Sequence, residues 1–225
     1  MIIAYAMIES EACILIQDRE HAGRLLGKKL HQYKNANAVV VGIPHGGVCV
    51  AASLAAMLSL PLEVMPCRKI KHPADSRKNI GSVSADEAFI HDCPYGVPQD
   101  YIYHQILSLR NAIKEEDEYY HSNNSRVSLF NRTVILVDDV LQSSDTMIAC
   151  LRSIRRQGPS KIILAVPVVR QKVLDTLRAE ADELVCLRIE LYIISTKEYF
   201  SACPKIDQEK VCNLLSRSSK NYISI

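Results

Sequence analysis

Apolar residues recur along this chain in two alternating rhythms. In residues 19–33, Ala22, Leu25, Leu26, Leu30 and Tyr33 share one face at a helical period, and Asp18 before them is placed to cap the helix. Residues 38–43 (AVVVGI) are a continuous apolar run, as expected of a strand buried on both faces. Pro44–Gly47 breaks that run, and 48–59 reads as a helix of small residues. A short strand is expected at 62–67, followed by a polar, charged stretch over 68–80. Residues 86–100 read as a loop or short hairpin. Ile102, Ile106, Leu109 and Ile113 mark a helix over 101–120, and 122–132 is a polar turn. A second buried strand is expected at 133–137, then a loop over 138–146. Met147, Ile148, Leu151 and Ile154 then define a helix closed by Gly158-Pro159. Strand 161–168, helix 171–180 and strand 184–189 complete the series, and the less periodic tail holds a terminal helix near 207–215.

Strands alternating with helices at this spacing predict an α/β fold with a mainly parallel, Rossmann-like sheet flanked by helices. Ligands of such sheets bind at the carboxyl ends of the strands. Three loops leave strand ends with unusual chemistry: 44–47, 68–80 and 138–146.

Composition narrows the function classes. Twenty-seven Lys and Arg against 25 Asp and Glu leave a net charge of +2, far from the strongly basic balance of an electrostatic nucleic-acid binder. Aromatic residues are 6% with no Trp, too few for a platform that stacks single strands. The apolar runs fall short of the ~20 residues a membrane span needs. The eight cysteines (Cys13, Cys49, Cys67, Cys93, Cys150, Cys186, Cys203, Cys212) form no C-x-x-C pair, which fits a reducing, cytoplasmic setting better than a disulfide framework. The apolar N-terminus lacks a basic start and carries Glu9 and Glu11, so it reads as entry to the fold and not as a signal peptide. The histidines His21, His31, His91, His104 and His121 show no metal-ligand spacing.

The most informative segment is 134–147, VILVDDVLQSSDTM. Four apolar residues bring Asp138 and Asp139 to a strand's carboxyl edge, and a hydroxyl-rich turn then opens a helix. Amides at a helix start can hold a phosphate dianion. Neighbouring carboxylates can accept hydrogen bonds from vicinal hydroxyls or hold Mg²⁺ through water. A capped turn alone would use the same residue types, and paired aspartates after a strand also occur at acidic Mg²⁺ sites of other α/β folds.

This segment resembles the signature of the type I phosphoribosyltransferases: four apolar residues, two acids, two apolar residues and a phosphate turn. QDREHAGRLL (17–26), VVVGIPHGGVCVA (39–51), RKI (68–70), IGSV (80–83) and ILAVPV (163–168) are similar to the matching segments of a bacterial phosphoribosyltransferase-like branch. The resemblance covers roughly 17–205. It implies a single domain over 1–225, with a core near 17–190 and a small hood from 84–100 and 190–225. It also implies transfer of ribose 5-phosphate from phosphoribosyl pyrophosphate (PRPP) to a nitrogen base, with Mg²⁺ accompanying the pyrophosphate and no direct side-chain metal ligand assigned. By position, Asp138 and Asp139 would be catalytic and meet the ribose hydroxyls. The turn Gln142, Ser143, Ser144, Asp145 and Thr146 would hold the 5-phosphate. His45, Gly46, Gly47, Arg68 and Lys69 would face pyrophosphate, and 71–80, with Lys71, His72, Arg77 and Lys78, would be a mobile closing loop. Tyr192, Tyr199 and Phe200 would lie near a hood over the base. The implied partners are the phosphoribosyl substrate and a base, without nucleic acid or membrane, in a possible homodimer.

The chain departs from the family pattern at several positions, among them Arg77, which stands where the related branch tends to have an acidic residue. Ser144 replaces a glycine, and a non-glycine residue in a left-handed conformation costs about 1–2 kcal/mol. Asp145 adds a carboxylate beside the expected dianion. At about 4 Å and an effective dielectric of about 20, two unit charges repel by roughly 4 kcal/mol, unless Asp145 points to solvent. His45 stands where the family often has Arg. These departures keep a second reading open: a non-catalytic member of the fold that binds a nucleotide or phosphate as a regulator.

Overall fold

The computed structural model describes residues 16–91, 96–202 and 204–223; Cys13, Cys93, Cys203, most of the N-terminal entry segment and positions 92–95 lie outside the described residues. The chain runs through α1 (Arg19–Lys29), β1 (Ala38–Gly42), α2 (Gly46–Leu58), β2 (Leu62–Val64), β3 (Arg68–His72), β4 (Asp75–Val83) and β5 (Ala88–Ile90). It continues through α3 (Gln99–His121), β6 (Thr133–Val137), β7 (Val140–Leu141), α4 (Asp145–Arg156), β8 (Lys161–Arg170), α5 (Gln171–Leu177), β9 (Glu183–Glu190) and α6 (Gln208–Ile223).

The main sheet is parallel throughout, in the order β2, β1, β6, β8, with β9 on the other edge of β8. Its faces divide the apolar runs cleanly. Val40, Ile135, Val137, Ile163 and Ala165 pack against Leu26, Leu54, Leu58 and Leu215 of α1, α2 and α6. Val39, Val41, Val134, Leu136, Ile162 and Leu164 pack against Met147, Leu151, Ile154 and Leu177 of α4 and α5. Strands covered on both faces need apolar side chains at every position, which is why these runs are unbroken. Each such fully buried Leu or Ile contributes about 2 kcal/mol through apolar burial.

Three differences from the sequence reading are physical. The first helix ends at Lys29 rather than Tyr33. Leu30 leaves helical geometry at φ −102° and ψ 18°, and a single 3-10 turn covers His31–Tyr33. Asp18 caps α1 as expected, its carboxylate accepting from the His21 amide at 2.7 Å. More consequential is the stretch 68–80, which is not a loop. β3 and β4 form an antiparallel hairpin, and β5 pairs with β4 to complete a second, three-stranded sheet. Ile70, Ile80 and Val83 bury one face of it against Ile113 of α3. The opposite face carries lysines in water, and one apolar position among four charged or polar ones hid the alternation. α6 also extends past the expected 207–215, to Ile223. Among the described residues, no helix is long and apolar enough to cross a membrane.

Candidate functional site

The site is built where β6 stops. Val137 pairs with Ala165 of β8, and Val140 of β7 pairs with Val168, so β7 continues β6 in the same register. Asp138 and Asp139 therefore fall opposite Val166 and Pro167. Proline has no N–H to give to a ladder. The gap it leaves lets two polar residues interrupt an otherwise apolar strand at its carboxyl end.

The two carboxylates diverge. Asp138 lines a cavity of about 300 Å³ together with Ile43, Pro44, Lys69, Gln142, Ser143 and Thr146. Its Oδ1 accepts from the Asp139 amide at 2.8 Å. Burial, and then the charge of Asp139, push its carboxyl well above the usual range, with Lys69 opposing the rise. Asp139 turns toward α1. Its Oδ2 receives Arg19 Nε at 2.8 Å and Nη2 at 2.7 Å, and its Oδ1 receives the Val140 amide at 2.9 Å. Arg19 also donates through Nη1 to the Pro204 carbonyl at 3.0 Å and lies over the Phe200 ring at 5.7 Å. Asp139 is thus not among the residues lining the cavity.

The glycines explain how these segments approach. The Pro44–His45 peptide is cis, and α2 begins at Gly46. A Cβ on Gly46 would lie 2.0 Å from Asp139 Oδ2 and 2.9 Å from Arg19 Nε. One on Gly47 would lie 2.8 Å from the Val137 carbonyl oxygen. Only hydrogen fits at either place. The segment that contacts the cavity is Ile43–Pro44, while His45 is exposed beside it.

The turn before α4 does not need the left-handed backbone expected at Ser144. Its φ is −81° and its ψ −18°, ordinary right-handed geometry open to serine, so the expected strain is absent. No side chain caps α4. The amides of its first turn lack carbonyl partners within the helix. The Thr146 hydroxyl is buried and has no hydrogen-bond partner, although the residue lines the cavity. Asp145, expected with the phosphate turn, is not a cavity residue, nor does it point to solvent. It is buried, with Oδ2 3.2 Å from His91 Nε2 of the segment following β5.

The basic pair beside the cavity also separates. Lys69 lines it. Arg68 points the other way, its Nη2 donating to Glu116 Oε2 of α3 at 2.7 Å. Lys71 and Arg77 lie in the hairpin, donating to Asn79 and Asp75. Tyr192 is exposed, with its ring under the Arg170 guanidinium, and Tyr199 stacks beneath Arg188. The sequence did not single out Arg19, His91, Cys67 or Thr196 as contributors. Cys67 and Thr196 line the cavity, and only spatial folding brings them to it. Arg19 lies inside the matched 17–26 segment, where its position at the start of a helix was the available signal.

A second polar cluster lies away from this cavity. His121 Nε2 is 2.7 Å from Glu63 Oε1, and its Nδ1 is 3.2 Å from Asp117 Oδ1. Burial alone would lower its pKa, but hydrogen bonds to Asp117 and Glu63 override burial and raise it to about 10.

Residues 16–201 match the phosphoribosyl transferase domain. Two Mycobacterium tuberculosis proteins, from strains CDC 1551 / Oshkosh and H37Rv, each named "Putative phosphoribosyl transferase", are 27% identical over 212 residues, 92% of this chain. The chain spans about half the length of these curated relatives, 48% of each. The crystal structure of TT1426 from Thermus thermophilus superposes with a TM-score of 0.77 at 28% identity, covering 91% of this chain and 99% of that one.

Proposed function

Since the chain belongs to the phosphoribosyl transferase family, we propose that its 300 Å³ cavity binds PRPP and that the protein transfers ribose 5-phosphate to a nitrogen base. In that reaction the bond from ribose C1 to pyrophosphate oxygen breaks and its electron pair leaves with pyrophosphate. The base nitrogen forms the new bond to C1 and loses its proton.

One observation carries the reading. The uncapped start of α4 and the unpartnered Thr146 hydroxyl sit at the rim of the same cavity as Asp138 and Lys69. A phosphate at the turn would satisfy the free amides and the hydroxyl at once, in the favourable field of the helix start. Asp138 would then hydrogen-bond a ribose hydroxyl, and Lys69 would face the leaving pyrophosphate. Gln142 and Ser143 add polar groups around the 5-phosphate. Arg19 takes up Asp139, so that acid acts by fixing the loop rather than by touching sugar.

Among the described residues no cluster of three or more His, Cys, Asp or Glu makes a ready metal site. Mg²⁺ is commonly held by one or two carboxylates plus substrate phosphates, so here it would arrive with its ligand's oxygens. Asp138 is the residue that would help hold it. When bound, the ion would neutralise charge on the departing pyrophosphate.

The engagement of Asp139 by Arg19 and of Arg68 by Glu116 favours a second reading, a nucleotide-binding regulator without turnover. Calorimetry with PRPP and Mg²⁺, followed by a pyrophosphate-release assay with purine and pyrimidine bases, tests both. Binding with release for at least one base supports transfer. Binding of a nucleoside monophosphate without release for any base supports the regulator. Binding of neither overturns the assignment of this cavity.

A further inference from the structure

We infer that His91 is a positioning residue that keeps the Asp145 carboxylate out of the phosphate site. This rests on the reading of the 142–146 turn as that site, and it accounts for an acid that the turn's chemistry would otherwise reject. Asp145 is the first residue of α4, flanked by Ser144 and Thr146. A carboxylate there can reach the same free amides that would receive a phosphate, and it repels a dianion. In the structure it is turned away from those amides. It is 6% exposed, and its Oδ2 lies 3.2 Å from His91 Nε2. Among the described residues no amide of the turn donates to it.

The surroundings hold both partners in place. The Ser82 hydroxyl of β4, fully buried, donates to the Asp145 backbone carbonyl at 2.6 Å. The His91 amide donates to the Ile80 carbonyl at 3.0 Å, and its ring meets Phe89 edge-on at 5.6 Å. The second sheet therefore contacts the turn at a backbone carbonyl and at a carboxylate. The latter is an approach of the imidazole Nε2 to the carboxylate at 3.2 Å, an ion pair when the ring is protonated. Asp145 then leaves the helix start to the ligand, with its carboxylate held beside His91. Residues of the second sheet and of the helix that follows the main sheet's β7 cooperate at one turn, which no local motif reveals.

The test compares affinities for PRPP with Mg²⁺ and for inorganic phosphate, by calorimetry, in the full chain. His91→Phe keeps the ring packing on Phe89 and removes the donor. It is expected to weaken both ligands roughly tenfold or more, because the freed carboxylate competes at the turn. His91→Gln, which keeps a donor, is expected to bind within about threefold of the wild type, and His91→Phe/Asp145→Asn to recover to the same extent. A merely structural role would lower unfolding stability without changing the affinities of the folded variants. Unchanged affinity in His91→Phe, or a double variant as weak as the single one, overturns the inference while the cavity assignment stands. A single variant that does not fold beside a double variant that does would show a structural role only and overturn it too. A wild type that binds neither ligand removes the cavity assignment, and the role of His91 with it.

Discussion

Arg19 grips Asp139 through two nitrogens at 2.7 and 2.8 Å, and this pairing separates two adjacent acids into different tasks. Arg19 ties α1, the strand-end loop and the Pro204 segment together, while of the two acids Asp138 alone faces the cavity. Both partners are mostly buried, at 12% and 14% side-chain exposure. Removing Arg19 as Ala leaves an uncompensated buried carboxylate and is expected to destabilise the fold by about 3 kcal/mol. Arg19→Met/Asp139→Asn should lose much less. Urea unfolding of the two variants checks the difference, and equal losses would contradict the pairing.

Gly46→Ala should break the same pair from the other side. Its Cβ would stand 2.0 Å from Asp139 Oδ2, so the carboxylate or the start of α2 must shift. The expected outcome is a folded protein less stable by roughly 1–3 kcal/mol, with PRPP affinity lowered as the loop moves. Thermal unfolding and calorimetry read the two effects. A variant as stable as the wild type would show that the close approach is not maintained in solution.

Arg68 and Lys69 are neighbours in sequence with opposite consequences. Glu116 is buried and accepts from Arg68 and from the Tyr120 hydroxyl, at 2.7 and 2.6 Å. Arg68→Ala should therefore cost stability, by about 1–2 kcal/mol after allowing for the 41% exposure of its side chain, and leave KM for PRPP nearly unchanged. Lys69→Ala should raise KM and leave stability near the wild type. Chemical denaturation and steady-state kinetics separate the two, and the reverse pattern would contradict the placement.

The His121 cluster predicts a pH dependence with a definite sign. Its folded pKa of about 10 lies above the ordinary value of 6.5. The stabilisation is therefore fully present below pH 6.5 and is lost as pH rises through 10. His121→Gln should trail the wild type by up to roughly 3 kcal/mol near neutrality, and the gap should close by about pH 10–11. NMR titration of the imidazole gives the midpoint directly. A midpoint near 6.5 would show that Glu63 and Asp117 do not hold the proton.

How far the sequence carried this picture depended on the range of each signal. Unbroken apolar runs such as VVV at 39–41 and VILV at 134–137 identified the strands, since burial on two faces leaves no polar position to confuse the reading. The charged hairpin was hidden because Ile70 is flanked by Lys69 and Lys71, and its burial depends on α3, over 40 residues away along the chain. At the candidate site, the apolar run identified the strand end from which Asp138 and the 142–146 turn depart. Side-chain direction was not legible. Arg19 and Asp139 are 120 residues apart, and Arg68 and Glu116 are 48 apart. No local pattern tells an acid or a base which distant partner it will meet. The Ser144 expectation assumed that the family's glycine marks a left-handed residue, whereas here the helix begins without one.

The central claim is that Asp138, Lys69 and the start of α4 form one phosphoribosyl-binding cavity. Calorimetric titration of the wild type and of Asp138→Asn with PRPP and Mg²⁺ tests it most directly. The account predicts saturable one-to-one binding by the wild type and affinity at least about tenfold weaker in the variant, as expected when a carboxyl that hydrogen-bonds the ligand in a shielded site is replaced. Equal affinity in the two proteins, or no heat of binding in either, would contradict it.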